Sequence, residues 1–310
     1  MTYDLIIIGG GPAGSAAGVY AARKRLKSAI IAEEFGGQSS VSVDVQNFIG
    51  IPHVKGAELG RMFKDHLKEY ADDVLEIVEG DRVTELKDIK DGGFEVKTKR
   101  GKTYEARAVL VASGSRRRKL PVKGADEFEG KGVVYCASCD APLFSGMKTV
   151  VVGGGNAGFE SAQQLLEYSP QVTLLEVSDS FKADPVTVEN VSKSDKFTAL
   201  KEVQITEIKG DKFVEGVVYK DKDGKEHELE VKGVFVEIGA IPNNDFIEKG
   251  LVDMNKIGEI IIDHKYGRSS KEGIWAAGDI SDVPYKQNNI SMGDGVKALE
   301  DIYIWLQKNK

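Results

Sequence analysis

Two cysteines carry the thiol chemistry of this sequence. Cys136 and Cys139 are its only cysteines, and they are separated by Ala137 and Ser138. At this spacing the sulfurs can close a small disulfide ring, and such rings exchange readily with other thiols because one thiolate is often stabilised. A zinc site needs four ligands, and the sequence has no second cysteine pair or paired histidines. A redox pair is therefore favoured over half of a zinc site or inert core thiols, and no metal site is predicted.

An acidic residue, Asp140, directly follows the second cysteine. Its carboxyl group could supply or accept the proton that dithiol formation requires, which would make it catalytic together with the two cysteines. The alternative is that Asp140 is a turn residue whose carboxyl group caps local backbone.

A glycine-rich motif occurs twice and could bind two dinucleotides. The first copy, DLIIIGGGPAGSAA, spans residues 4–17, and the second, TVVVGGGNAGFESA, spans residues 149–162. Each copy predicts a short strand, a glycine loop and the start of a helix. The glycines would let the backbone approach a pyrophosphate, whose charge the helix N-terminus would stabilise. The predicted binding residues are Gly9, Gly11, Pro12, Ala13 and Gly14 in the first copy and Gly153, Gly155, Asn156, Ala157 and Gly158 in the second.

An acid follows each glycine motif at the end of a second apolar strand. Glu33 lies 24 residues after Gly9, and Glu176 lies 23 residues after Gly153. In a βαβ unit this acid accepts a hydrogen bond from a ribose hydroxyl. A single GxGxxG motif is weak evidence. Two copies with the same order of strand, helix and acid predict two dinucleotide sites rather than two ordinary glycine turns.

Composition limits the classes of function that remain. The chain has 310 residues, 35 of them glycine, and its 42 basic and 49 acidic side chains give a net charge of −7. This acidic balance argues against nucleic acid or a membrane surface as the main partner. The N-terminus lacks the pattern of a secretory signal, and no apolar run approaches the roughly 18 residues of a membrane span. A cytoplasmic location is expected.

Hydrophobic patterns predict the remaining elements. Residues 54–70 place Leu59, Phe63, Leu67 and Tyr70 on one face of a helix, which indicates core packing. Residues 76–111 alternate apolar and polar side chains around turn residues, which is typical of antiparallel strands. Buried strands at 108–112 and 233–238 each run into a glycine. Each half of the chain is therefore predicted to contain a βαβ unit, antiparallel strands and a return strand.

The order of these motifs resembles the low-molecular-weight thioredoxin reductases. The resemblance covers essentially the whole chain and includes GGGPAG at 9–14, GGQ at 36–38, CASCD at 136–140, the second glycine motif and AAGD at 276–279. Four segments, EEFGGQ at 33–38, CDAPLF at 139–144, GEIIID at 258–263 and VPYKQ at 283–287, are closer to the reductase portion of the alkyl hydroperoxide reductase flavoprotein. That flavoprotein carries an extra N-terminal thioredoxin-like module, which this sequence is expected to lack.

This resemblance implies an α/β fold with two Rossmann-like domains of the three-layer ββα type, the second inserted in the first. Residues 1–115 and 242–310 would bind FAD, and residues 116–241 would bind the nicotinamide cofactor and carry the redox disulfide. Besides the first glycine motif and Glu33, the implied flavin-side residues are Gly36, Gly37, Gln38, Asn47, Gly114, Gly278, Asp279, Lys286 and Gln287. Asn288 and Asn289 depart from the relatives, which usually place an apolar residue there.

The implied function is that of a FAD-dependent disulfide oxidoreductase, an enzyme of the thioredoxin reductase type. Electrons would pass from NAD(P)H through FAD to Cys136 and Cys139, and then to a thioredoxin- or glutaredoxin-like protein. By family likeness, Cys139 faces the flavin and Cys136 attacks the partner. The same likeness implies a homodimer in which the nicotinamide domain rotates, so that either the nicotinamide or the disulfide meets the flavin.

The end of the second strand in the nicotinamide domain bears on the choice of cofactor. NADPH-using relatives place a His-Arg-Arg cluster there, because the 2′-phosphate needs cations. Here the segment is EVSD at 176–179, and the nearest base is Lys182. An acid accepts a hydroxyl hydrogen bond and repels a phosphate, so Glu176 favours NADH over NADPH. The alternative is that Glu176 turns outward and a different site reads the cofactor.

Three other functions remain open on the sequence. The same disulfide reductase could be fed by ferredoxin or a deazaflavin, although the intact second glycine motif argues against this. It could be dedicated to a peroxiredoxin system, which differs only in the partner. Third, the protein could be a redox sensor, in which the cysteines report oxidation without turnover.

Overall fold

The structure, a computed structural model, describes residues 2–42, 44–89 and 92–309. The chain divides into two units. Unit 1 consists of Met1–Asp44, Phe48–Arg116 and Ile241–Lys310, and unit 2 consists of Val45–Asn47 and Arg117–Ala240. Residues 45–47, which the sequence prediction placed in the first domain, group with unit 2.

Both units contain α-helices and β-strands. The strands are β1 (Thr2–Gly10), β2 (Ser28–Phe35), β3 (Leu75–Glu79), β4 (Val83–Asp88), β5 (Phe94–Thr98), β6 (Thr103–Val111), β7 (Ser115–Arg117), β8 (Val133–Val134), β9 (Thr149–Val152), β10 (Val172–Leu175), β11 (Phe197–Leu200), β12 (Gln204–Gly210), β13 (Val214–Lys220), β14 (Glu226–Glu230), β15 (Gly233–Val236), β16 (Ala240–Pro242) and β17 (Ile274–Ala276). The α-helices are α1 (Pro12–Arg23), α2 (Gly56–Ala71), α3 (Ala137–Asp140), α4 (Asn156–Leu165), α5 (Pro185–Ser192) and α6 (Asn288–Lys308). None of the helices in the described part of the chain has the length and apolar character needed to cross a membrane.

Unit 1 is built on a parallel sheet in which β3, β2, β1 and β6 lie side by side and β17 pairs with β6. Leu5 and Ile7 of β1 pack in one core with α1 and α6. Ile6 and Ile8 face the opposite core, with β4 and β5, which continue the sheet antiparallel from β6. Because both faces of β1 are covered, its apolar residues form a continuous run rather than an alternating one.

Unit 2 repeats this layering around a parallel sheet in the order β11, β10, β9, β15, β8. Val150 and Val234 pack on one face with the antiparallel strands β12, β13 and β14. Val151 and Phe235 pack on the other face with Phe159 of α4 and with residues in and next to α3. The CxxC segment therefore lies on the face of the sheet that α4 covers.

Two predictions about local structure had different outcomes. The helix predicted over 54–70 is α2, in which Leu59, Phe63 and Leu67 are buried and Tyr70 is partly buried against the core. The antiparallel arrangement predicted for 76–111 is wrong for its first strand, because β3 pairs in parallel with β2. β3 lies at the edge of the sheet, so its alternating pattern reflects exposure at an edge and not antiparallel pairing.

Candidate active site

The first glycine loop connects β1 to α1. Gly9 has a φ of +118°, and a Cβ atom there would lie 2.2 Å from the carbonyl oxygen of Ala112. A Cβ atom on Gly14 would lie 1.9 Å from the carbonyl oxygen of Gly9, so only glycine lets α1 pack this closely on the loop. Gly11, by contrast, borders open space, with its nearest neighbour 3.9 Å away. This arrangement leaves room for a pyrophosphate at the N-terminus of α1.

The second glycine loop, between β9 and α4, has the same steric pattern. Gly153 has a φ of +115°, and a Cβ atom on it would lie 2.5 Å from the carbonyl oxygen of Glu237. A Cβ atom on Gly158 would lie 1.9 Å from the carbonyl oxygen of Gly153, whereas no atom lies within 4 Å of the Cβ position of Gly155. Asn156 and Ala157 form the exposed first turn of α4 beside this opening. The sequence repeat is therefore also a structural repeat.

Glu176 follows β10 and folds back over the second glycine loop. Its Oε2 accepts a hydrogen bond from the Gly154 backbone N–H at 2.6 Å, and its Oε1 accepts one from the Ser178 N–H at 2.7 Å. Burial alone would raise the pKa of Glu176, but these hydrogen bonds and the charge of Lys182 outweigh burial and lower it. The side chain is thus an ionised carboxylate held at the loop, rather than one turned outward. Glu33, its counterpart in unit 1, is exposed on β2.

The residues at 36–38 and 114, which the resemblance assigned to the flavin side, lie close to the first glycine loop. Gly36 (φ +106°) donates its N–H to the Gly10 carbonyl oxygen at 2.9 Å, and Gly37 (φ +58°) begins a short 3₁₀ helix. A Cβ atom on Gly37 would lie 3.2 Å from the Cα atom of Gly11. Gln38 is exposed on this turn, and Gly114, in a left-handed conformation, follows β6.

The C-terminal motif meets the first glycine loop within unit 1. A Cβ atom on Gly278 would lie 3.2 Å from both the Ala13 Cβ and the Ser291 Oγ. Ser291 donates its hydroxyl hydrogen to Asp279 at 3.4 Å. Gly295 of α6 lies so close to α1 that a Cβ atom on it would be 2.1 Å from the carbonyl oxygen of Ala13. The sequence prediction missed Ser291 and Gly295, and the available signal was a glycine inside a long helical pattern.

The segment before α6 is held by polar contacts. Lys286 donates to the Ser281 carbonyl oxygen at 2.5 Å and pairs with Glu259 at 2.9 Å, and Gln287 is the N-cap of α6.

The two asparagines that depart from the relatives also make contacts. Asn288 accepts a hydrogen bond from the Ser39 hydroxyl at 2.7 Å. The side-chain oxygen of Asn289 accepts one from the Ile49 N–H at 3.3 Å. Both asparagines therefore tie the start of α6 to the region that follows Gly37.

The two cysteines form a disulfide in unit 2. Their Cα atoms are 5.3 Å apart, and both residues are half-buried. Cys136 follows β8 and caps α3, in which Cys139 lies. The side-chain amide of Asn47 lies 3.4 Å from the Ser138 carbonyl oxygen and 4.0 Å from the Cys139 Sγ. The structure therefore places Asn47 beside the disulfide.

Asp140 is the buried acid next to this disulfide. Burial raises the pKa of its carboxyl group to about 6. A group with this pKa can hold and release a proton near neutral pH, which suits it for general acid catalysis. Its N–H donates to the Cys136 carbonyl oxygen at 3.0 Å, which fixes its place one turn after the first cysteine. Among the described residues, no group of three or more potential ligands could hold a metal ion.

Comparison with known proteins places these features in a family. The model of the pyridine nucleotide-disulphide oxidoreductase family matches residues 3–295. The chain is 40% identical to an NADH dehydrogenase of Bacillus subtilis over 99% of its own length and 59% of the relative's. It is 39% identical to an alkyl hydroperoxide reductase component of Escherichia coli, again over 99% of this chain and 59% of the relative. The chain thus spans about three fifths of these relatives.

Solved structures match over their whole length. The thioredoxin reductase of Giardia duodenalis has a TM-score of 0.91 and 32% identity, with 99% of each chain covered. The thioredoxin reductase of Streptococcus pyogenes has a TM-score of 0.89, 32% identity and the same coverage. These matches confirm the predicted α/β fold with two dinucleotide-binding domains, and they confirm the resemblance on which it was based.

Proposed function

Because the chain belongs to the pyridine nucleotide-disulphide oxidoreductase family, we propose that it carries electrons from a reduced nicotinamide through FAD to the Cys136–Cys139 disulfide, and from there to a partner protein. The observation that carries the proposal lies in unit 2. Gly153 follows β9 and Cys136 follows β8, so a dinucleotide loop and a disulfide lie at the same edge of one parallel sheet.

Each glycine loop fits a dinucleotide for a steric reason. Gly11 and Gly155 leave their Cβ positions open at the start of a helix. This is where a pyrophosphate needs space and N–H donors. Bound FAD would supply hydride acceptance and two-electron transfer between nicotinamide and disulfide. We assign the loop with Gly9, Gly11 and Gly14 to FAD, and the loop with Gly153, Gly155 and Gly158 to the nicotinamide.

The cysteines and Asp140 carry out the thiol chemistry. Two electrons and two protons convert the disulfide into two thiols, and the buried Asp140 carboxyl group holds a proton for the sulfur that leaves. The Cys136 thiolate then attacks the partner disulfide to form a mixed disulfide. Cys139 resolves it, which releases the partner as a dithiol and restores the disulfide within this chain.

Glu176 supports NADH as the electron donor. Its carboxylate is held at the glycine loop by two backbone N–H groups. In this position it would accept a ribose hydroxyl and repel a 2′-phosphate. The Bacillus subtilis relative named an NADH dehydrogenase is consistent with this preference.

The partner we propose is a thioredoxin- or glutaredoxin-like protein, because the two solved structures are thioredoxin reductases. A second candidate is a protein that feeds a peroxiredoxin, since relatives of 39% identity are named as components of alkyl hydroperoxide reductase. The homodimer implied by the resemblance stays a prediction.

The FAD-loaded protein and its Cys139→Ser variant test this function. Under anaerobic conditions we expect NADH to bleach the flavin of both, and only the unmodified protein to reduce a thioredoxin disulfide. The variant should instead trap the partner on Cys136, and mass spectrometry of a trapped lysate protein would separate the two candidate partners. Thioredoxin turnover by the variant would contradict the assigned path.

Two further outcomes would favour the other functions. Bleaching by reduced ferredoxin or a reduced deazaflavin, but by neither nicotinamide, would show a different donor. Flavin that none of these reductants bleaches at a useful rate would favour a redox sensor.

A further inference from the structure

Glu237 lies where the strand order of the unit 2 sheet reverses. From β9 the sheet continues to β10 and β11 on one side and to β15 and β8 on the other. Such a switch point opens a crevice at the carboxyl ends of the strands, and ligands of doubly wound sheets bind there. Gly153 directly follows β9 and Glu237 directly follows β15, on the two sides of this crevice. They lie so close that a Cβ atom on Gly153 would be 2.5 Å from the Glu237 carbonyl oxygen.

The two halves of a bound dinucleotide can be assigned to the two sides of this crevice. Glu176 at the end of β10 marks the adenosine side, because this acid takes the ribose hydroxyl in such folds. The pyrophosphate belongs at Gly155 and the N-terminus of α4, between the two sides. The nicotinamide half must then extend over β15 and β8, the side on which Glu237 lies.

The surroundings of Glu237 set the pKa of its carboxyl group near neutral pH. Its Oε1 accepts a hydrogen bond at 2.7 Å from the hydroxyl of Ser161, which is buried on α4. Burial raises the pKa of Glu237 to about 7, Ser161 and the charge of Arg117 lower it, and the charge of Glu160 raises it. The pKa of Asp140, on the neighbouring α3, is raised by burial alone. Glu237 therefore exchanges its proton in the physiological range.

We propose that Glu237 senses the charge of the nicotinamide ring, so that NAD⁺ binding releases a proton from this side chain and NADH binding does not. This inference rests on the proposed function. The oxidised ring carries a positive charge and the reduced ring is neutral, so only the oxidised ring favours the ionised carboxylate. The protonated enzyme and NAD⁺ give the carboxylate complex and one free proton. NAD⁺ affinity therefore increases as the pH rises through neutrality, and the affinity for the reduced ring stays flat.

Calorimetry on the FAD-loaded protein tests this linkage. Titrations at pH 7 in two buffers of different ionisation enthalpy give the protons released per ligand. The ligands are NAD⁺, ADP-ribose, which lacks the ring, and tetrahydro-NADH, which carries a neutral ring and cannot reduce the flavin. We expect about half a proton per NAD⁺, because half of the Glu237 groups are protonated near their pKa, and none for the other two ligands.

Three variants separate a charge effect from a folding effect. Glu237→Gln should abolish the proton release and, if the ring lowers the pKa by about one unit, raise the Kd for NAD⁺ about fivefold at pH 7 and about tenfold well above pH 7. It should leave the Kd for ADP-ribose unchanged. Ser161→Ala removes a hydrogen bond to the carboxylate, so the pH dependence of NAD⁺ binding should move to higher pH. Glu230→Gln, an exposed site on β14, should change neither.

The outcomes distinguish this inference from the proposed function. Equal proton release with NAD⁺ and ADP-ribose, or full release from Glu237→Gln, would overturn the role of Glu237 while leaving the reductase intact. If none of the three ligands bound, the proposed function would fall, and this inference with it.

Discussion

Replacing Glu176 with alanine should remove the proposed preference for NADH. The carboxylate is held at the glycine loop by the Gly154 and Ser178 N–H groups at 2.6 and 2.7 Å. It is therefore already ionised and oriented before a cofactor arrives. Alanine would remove the acceptor for the ribose hydroxyl and leave two N–H donors facing the position of a 2′-phosphate.

The size of the effect follows from the two interactions that change. A hydrogen bond to a charged group contributes about 1.5–3 kcal/mol, so kcat/KM for NADH should fall by about 10- to 150-fold. The repulsion between the carboxylate and the 2′-phosphate would disappear at the same time. Unit charges 4 Å apart repel by about 4 kcal/mol near a protein surface, which is an upper bound for this gain. The ratio of kcat/KM for NADH to that for NADPH should fall by about two orders of magnitude.

Stopped-flow bleaching of the flavin measures this ratio directly. The control is Glu230→Ala, at an exposed position in the same unit. Circular dichroism and thermal unfolding would show whether the loop survives the loss of its acceptor. Faster bleaching of the unmodified protein by NADPH would refute the reasoning, as would a cofactor ratio that Glu176→Ala leaves unchanged.

The contribution of Glu176 to NADH binding should also persist at low pH. The pKa of Glu176 is lowered below that of an ordinary glutamate, so the carboxylate stays ionised as the pH falls through the usual glutamate range. NADH carries no 2′-phosphate that titrates in this range, so kcat/KM for flavin bleaching by NADH should accordingly be constant from pH 8 to about pH 5. A kcat/KM for NADH that collapses near pH 6 would contradict this assignment.

Three further substitutions have defined expectations. Asp140→Asn should slow reduction of the partner disulfide by about 100-fold and remove the loss of rate as the pH rises through 6, while flavin bleaching by NADH is unchanged in stopped flow. Gly158→Ala places a Cβ atom 1.9 Å from the Gly153 carbonyl oxygen, so the flavin spectrum should persist but NADH should no longer bleach it. Asp301→Asn removes the negative charge beside Arg268 and one of the two oxygens that accept hydrogen bonds from Arg268 and Trp275, so it should cost about 2 kcal/mol in urea unfolding at pH 7. Burial raises the pKa of Asp301, but the hydrogen bonds from Arg268 and Trp275 lower it by a larger amount. The difference in unfolding free energy between the two proteins should therefore shrink as the pH falls below the usual aspartate pKa.

The glycine loops could be predicted because their geometry requires glycine at particular positions. Gly9 and Gly153 need a left-handed backbone, and Gly14 and Gly158 need the absence of a Cβ atom. These constraints fix a spacing of glycines that can be recognised in the sequence. The same holds for the cysteine pair, since only two residues separate the sulfurs that bond.

Other parts of the site depend on contacts between distant segments, which spacing does not encode. Gly295 contacts the Ala13 backbone from almost the other end of the chain, and residues 45–47 group with the unit of the disulfide, whereas the segments before and after them belong to unit 1. Glu237 looks like an ordinary acid after a strand. Its pKa is raised because the fold buries its side chain, and the hydrogen bond from Ser161 offsets only part of this effect.

The two buried carboxyl groups of unit 2 fit the proton balance of the proposed reaction. NADH, a disulfide and one proton give NAD⁺ and a dithiol, so a proton is taken up at sulfur while positive charge appears on the nicotinamide ring. Asp140 follows the disulfide directly, and Glu237 lies on the side assigned to the ring. Burial is the main cause of both pKa shifts, and both groups belong to the face that α4 covers. Asp140→Asn should therefore flatten the pH dependence of partner reduction alone, and Glu237→Gln that of NAD⁺ binding alone. A variant that flattened both would mean that the two carboxyl groups titrate as one coupled pair.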